Sequence, residues 1–87
     1  MFFVYVIRSS RDGNLYIGYT DDLRRRINEH NAGENFSTKP REPFKLIYYE
    51  AFLEKHDALA REKFFKTGWG RQYLQRVLKN YFLNATR

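Results

Sequence analysis

The chain opens on FFVYVIR, residues 2 to 8, a run of β-branched and aromatic residues with no helical period. Alternation puts Phe3, Tyr5 and Ile7 on one face of a strand and Val4 and Val6 on the other. Arg11-Asp12-Gly13-Asn14 supplies turn residues able to take positive φ, and Leu15 to Tyr19 completes a hairpin. On that second strand Tyr16 and Gly18 share a face, opposite Ile17 and Tyr19. The strand runs straight into a helix opened by Thr20, Asp21 or Asp22, whose side-chain oxygens can cap free backbone N–H groups. Gly33 is a good stop for a helix ending at about Ala32. Leu23, Ile27 and His30 fall on one of its faces and Arg25 and Glu29 on the opposite one, at ~100° per residue. Arg26 lies on the border, one turn before His30, so a cation and an imidazole can point at a common spot beyond the strand end.

Glu34 to Pro43 is polar, holds two prolines and forms the one long loop. Its Lys39 and Arg41 suit either a polyanion contact or a solvated connection. Phe44 to Phe52 reads as a third strand. A second helix follows from Lys55 or His56 to Lys66, with Asp57 in the first turn, where a negative charge suits the dipole. Thr67-Gly68-Trp69-Gly70 should break it. A third helix, roughly Gly70 to Leu83, places Leu74, Val77, Leu78 and Tyr81 on one face. The expected order is ββαβαα: an α+β fold with a small three-stranded antiparallel sheet flanked by three helices, in one domain spanning residues 1 to 87.

Composition narrows the function. The 87 residues hold no cysteine, which excludes disulfides, thiolate metal sites and cysteine nucleophiles. Aromatic residues make up 18%, enough large rings to stabilise so short a chain without staples. The opening apolar run is too short for a signal-peptide core or a membrane span, so the default expectation is a soluble, cytoplasmic protein. Sixteen lysines and arginines against ten acids give 16 − 10 = +6, a balance that favours a polyanionic partner such as nucleic acid.

One acid breaks the second helix's pattern. With Ala58 at zero, Phe65 falls at about −20° and Glu62 at about 40°, which puts Glu62 inside the apolar stripe. A buried carboxylate needs compensation. A salt bridge to Arg26, Lys66 or a third-helix arginine would supply it. So would a divalent cation held by one carboxylate, waters and phosphate oxygens.

The hairpin FVYVIRS…NLYIGYT, then Arg26, His30 one turn later and Glu62 in the second helix, together resemble the GIY-YIG nuclease superfamily over about residues 2 to 78. The fit is best to small single-domain members akin to the N-terminal catalytic half of the repair endonuclease that incises beside damaged DNA. The resemblance implies Tyr5 at the tyrosine of GIY and Tyr16 at that of YIG. Arg26 would be the phosphate-binding arginine, His30 its companion, and Glu62 the single metal ligand, holding Mg²⁺ or Mn²⁺. It further implies a metal-dependent endonuclease leaving 5′ phosphate and 3′ hydroxyl ends on DNA that is branched, damaged or single-stranded, with a partner protein able to add specificity. Tyr5 or Tyr16 would position or deprotonate the water, as a base only if Arg26 and the metal lowered its pKa from near 10. Gly18, the glycine of YIG, would let the scissile strand approach closely. Arg24, Arg25, Lys39 and Arg41 complete the expected nucleic-acid contacts.

The resemblance departs in two places. Phe3 and Val4 replace the first glycine and isoleucine, and no asparagine stands at Leu74 to Val77, where many members carry one. The competing expectation is therefore a nucleic-acid-binding module of the same fold that does not cut. A weaker one is a protein-interaction domain using the Trp69 loop.

Overall fold

The computed structural model describes residues 1–35 and 38–85, so Phe36 and Ser37 of the expected long loop lie outside the described residues. The elements are β1 (Phe2–Ser9), β2 (Leu15–Thr20), α1 (Leu23–Asn31), a 3₁₀ turn (Lys39–Arg41), β3 (Phe44–Phe52), α2 (Lys55–Phe65), α3 (Gly68–Val77) and α4 (Lys79–Ala85). The strands form one antiparallel sheet in the order β2-β1-β3.

Strand alternation sorts two cores onto the two faces of this sheet. Val4, Val6 and Ile17 pack with Ala58, Phe65 and Leu74 of α2 and α3. Tyr5 and Ile7 pack with Phe44, Tyr16 and Leu46, under Leu23 and Ile27 of α1. A bulge pairs Val6 with Tyr48 but Ile7 with Leu46, leaving Ile47 as the extra residue. Ile47 and Tyr48 therefore both reach the α2–α3 core, which strict alternation would forbid.

Local chemistry fixes the element ends. The turn is built as its residues dictate: Gly13 sits at φ 73°, and Asp12 Oδ1 accepts from the Asn14 backbone N–H at 2.9 Å. Of the three candidate caps for α1, Asp22 is the one used, accepting from the Arg25 N–H at 3.1 Å. Asn31 then ties the end of α1 to β3 by exchanging two bonds with the Phe44 backbone.

Two expectations about the C-terminal half are corrected. The second helix does break before Gly68, but α3 begins at Gly68 rather than Gly70, because Thr67 accepts from the Gly70 N–H and caps it. Gly70 lies so close to Phe64 and Phe65 that a Cβ there would overlap their backbone, so glycine lets α3 start directly against α2. The single third helix is in fact two, divided at Leu78. The bend lays Tyr81 and Phe82 against the Arg8 guanidinium, at 5.8 and 5.6 Å from the ring centroids. That contact spans most of the chain and leaves no trace in local periodicity.

On the α2 side, Arg61 grips Glu50 with two bonds of 2.8 and 3.1 Å. Its guanidinium also lies 4.6 to 4.9 Å from the rings of Phe64, Phe65 and Tyr73. No helix among the described residues is long and apolar enough to cross a membrane.

Candidate active site

Tyr5 stands at the hub. Its cross-strand partner is Gly18, and a Cβ at Gly18 would overlap the Tyr5 hydroxyl and ring. The space above Gly18 that sequence reasoning reserved for a scissile strand is filled by the phenol, and the glycine is what lets that ring lie across β2. From there the Tyr5 hydroxyl reaches His30 Nε2 at 2.8 Å. Both residues are buried.

His30 projects into this core because it follows Leu23 and Ile27 on the inner stripe of α1. Its second nitrogen, Nδ1, lies 2.7 Å from Thr38 Oγ1, and the Thr38 hydroxyl also faces the Asn35 carbonyl at 3.4 Å. A carbonyl can only accept, so we assign the threonine hydrogen to it. Thr38 then accepts from His30 Nδ1–H, and the bare Nε2 accepts from Tyr5. Burial, with the Arg26 charge adding to it, pushes the His30 pKa down to about 4, so the imidazole is neutral near pH 7.

Arg26 by itself does not supply the lowering that a base role for Tyr5 would require. Burial raises its pKa to about 12, outweighing the lowering by the nearby Arg26 guanidinium, while Tyr16 and Glu62 add smaller upward effects. Arg26 and Tyr16 thus stand beside this phenol, and the Glu62 charge is felt there. The Tyr16 ring lies 6.5 Å from that of Tyr5 and 5.1 Å from that of His30, and it keeps part of its surface in solvent. Arg26 is anchored through Nη1 to Glu29 Oε1 at 3.1 Å. Glu62 comes from α2, in the opposite helical layer. Its side chain is 22% exposed and pairs with Lys66 at 3.2 Å, one of the partners anticipated from the sequence.

Among the described residues no three of His, Cys, Asp and Glu cluster as a metal cage. A single half-buried carboxylate with one oxygen on Lys66 still fits an ion that keeps most of its waters, as Mg²⁺ does.

The outlying basic residues are not gathered at the hub. Arg25 pairs with Asp21 at 3.1 Å, and Arg24 and Lys39 are exposed. Arg41 is committed to the fold, bonded to Asp12 at 3.0 Å and to the Leu15 carbonyl, with Phe44 beneath it. Thr38 is the residue sequence reasoning missed. A threonine in a polar loop carries no signal that it will close on a buried histidine eight positions earlier.

The match to known proteins agrees with this geometry. The family model for the GIY-YIG catalytic domain matches residues 1–75. A UPF0213 protein of Streptococcus agalactiae is 48% identical over 65 residues, covering 74% of this chain and 73% of its own length. One from Staphylococcus aureus is 42% identical over 78 residues, covering 88% and 93%. The solution NMR structure of the UPF0213 protein BH0048 from Bacillus halodurans shares the fold with a TM-score of 0.55 and 33% identity, over 88% of this chain and 85% of that one. With a family model matched over residues 1–75 and a hairpin, an arginine and a histidine brought together at one buried phenol on a nuclease-type fold, the chain belongs to the GIY-YIG catalytic domain family.

Proposed function

We propose that the protein is a divalent-metal-dependent endonuclease that hydrolyses DNA phosphodiester bonds, leaving 5′ phosphate and 3′ hydroxyl ends, and that it selects branched, damaged or single-stranded structure in DNA repair or processing. The observation that supports this reading is the meeting of Arg26, Tyr16 and His30 around Tyr5, where the Glu62 charge from α2 is also felt.

Glu62 would hold the ion, with Lys66 beside it. When bound, a Mg²⁺ or Mn²⁺ ion supplies charge neutralisation on the phosphate and help for the leaving 3′ oxygen. Arg26, steadied through one nitrogen by Glu29, offers its remaining N–H groups to a nonbridging oxygen in a forked contact that lysine cannot copy. The two phenols divide the rest of the work. Tyr5 donates a hydrogen bond to His30 and is buried, so it serves as the fixed neutral frame that orients Arg26. Tyr16, partly in solvent, is the phenol that faces the attacking water and positions it through a hydrogen bond.

The test is nicking of plasmid and branched DNA with Mg²⁺ or Mn²⁺ against EDTA. Wild type cuts only with the metal. Glu62→Ala and Arg26→Ala lose cleavage by at least a hundredfold while keeping salt-sensitive binding. Tyr16→Phe loses more activity than Tyr5→Phe once each is corrected for its folded fraction. The competing reading, a module that binds without cutting, draws on the missing asparagine: Leu74 opens that window and is fully buried in the core. Wild type that binds DNA but never cuts it, with any metal, establishes that module instead.

A further inference from the structure

A second basic surface lies at the hairpin-turn end of the sheet. The cleft there, of about 810 Å³, is walled by Arg8 and Asn14 on the hairpin, Arg41 with Asp12, and Arg71 with Gln75 on α3. Its charges are unequally balanced. Arg41 is neutralised by Asp12 at 3.0 Å. Arg8 and Arg71, among the described residues, meet no carboxylate. Arg8 is instead held by neutral groups: the Gly13 carbonyl at 2.9 Å, the Tyr81 hydroxyl at 3.5 Å and the two rings of α4. A guanidinium fixed in this way loses little entropy when it meets an anion, and it keeps its charge.

Arg71 and Gln75 stand one turn apart on α3, so they present a cation and an amide in a row along the cleft. The register supplies the link to chemistry. Leu15, which lines the cleft, pairs with Arg8 and directly precedes Tyr16 of the candidate site. Leu15 and Tyr16 face opposite sides of β2, an edge strand, so a nucleic-acid strand engaged at Tyr16 reaches the cleft by passing around that edge.

We propose that this cleft, through Arg8, Arg71 and Gln75, is a second phosphate-backbone contact for nucleic acid, seating the substrate strand beside the site of cleavage. The proposal rests on the nuclease-type reading for its direction, but its own readout is binding.

The experiment measures fluorescence anisotropy of labelled single-stranded and duplex DNA oligonucleotides against the full chain across a salt series. Arg71 is exposed, so Arg71→Glu should fold normally, with an unchanged thermal midpoint. Binding weakens about tenfold, and the slope of log affinity against log salt falls by about one. Gln75→Glu weakens it in the same direction. Lys55→Glu carries the same charge change at the far end of the sheet, beyond the Phe2–Phe52 pair, and weakens binding much less. Equal losses for Arg71→Glu and Lys55→Glu would reduce the effect to net charge and overturn the proposal. So would an Arg71→Glu isotherm that matches wild type, or inorganic phosphate shifting the Arg71 NMR signals without competing with the oligonucleotide. Failure of wild type to cut leaves these binding outcomes readable, so the two readings fail separately.

Discussion

Replacing Gly18 by alanine tests the packing on which the candidate site depends. The new methyl would overlap both the hydroxyl and the ring of Tyr5, and this ring is 1% exposed, with nowhere to move but out of its core. Overpacking of this kind costs about 1–3 kcal/mol. Displacing the phenol also breaks its 2.8 Å bond to His30 and leaves a buried ring nitrogen without a partner, for another roughly 1–3 kcal/mol. Against these, the gain from restricting the unfolded chain is only about 0.4–1 kcal/mol. The expected net loss is about 1–6 kcal/mol, a drop of at least about 4 °C in Tm for a domain of this size. Urea unfolding of the four proteins in a cycle with Tyr5→Leu isolates the cause. In the Tyr5→Leu background the overlapping atoms are gone, so Gly18→Ala should cost under about 1 kcal/mol. If alanine at Gly18 costs the same in both backgrounds, the overlap with Tyr5 is not what demands glycine, and the reasoning is wrong.

Acid should unfold the protein through His30. Its folded pKa, about 4, lies below the ordinary 6.5, so the unfolded chain takes up the proton first. Stability is fully present above about pH 6.5 and falls as pH drops toward 4, by up to about 3 kcal/mol, and a His30→Gln chain monitored by circular dichroism should lose that slope in this window. Thr38→Val leaves His30 Nδ1–H unpaired and should cost about 1–3 kcal/mol. Nitrogen NMR should find the Nδ1–H tautomer in wild type and Thr38→Ser but a mixture in Thr38→Val; the same tautomer in all three would refute the threonine's role. Arg61→Ala strips a two-bonded partner from Glu50, itself only 19% exposed, and uncovers three rings. A loss of about 2–4 kcal/mol is expected in chemical denaturation, and one below about 0.5 kcal/mol would class the pair with ordinary surface ion pairs.

The sequence by itself determined what local physics controls. Strand alternation separated Val4 and Val6 from Tyr5 and Ile7, the turn chemistry of residues 11 to 14 set the hairpin, and the bounds of β3, with those of α2 to within a residue, were legible from propensity and pattern. The candidate site was legible as a set of residue types, because tyrosine, arginine, histidine and glutamate at those spacings carry the family's pattern. Their environments were not. Tyr5 is pushed up rather than down, Gly18 seats a ring rather than a strand of substrate, and Arg41 secures a loop. Thr38 closes on His30, α4 folds back onto Arg8, and the bulge at Ile47 turns two neighbours to one face. Each of these depends on atoms distant in the chain coming within a few ångströms, where desolvation and overlap decide energies of whole kilocalories. Periodicity and propensity describe a residue's near neighbours along the chain, so only the tertiary structure could settle them.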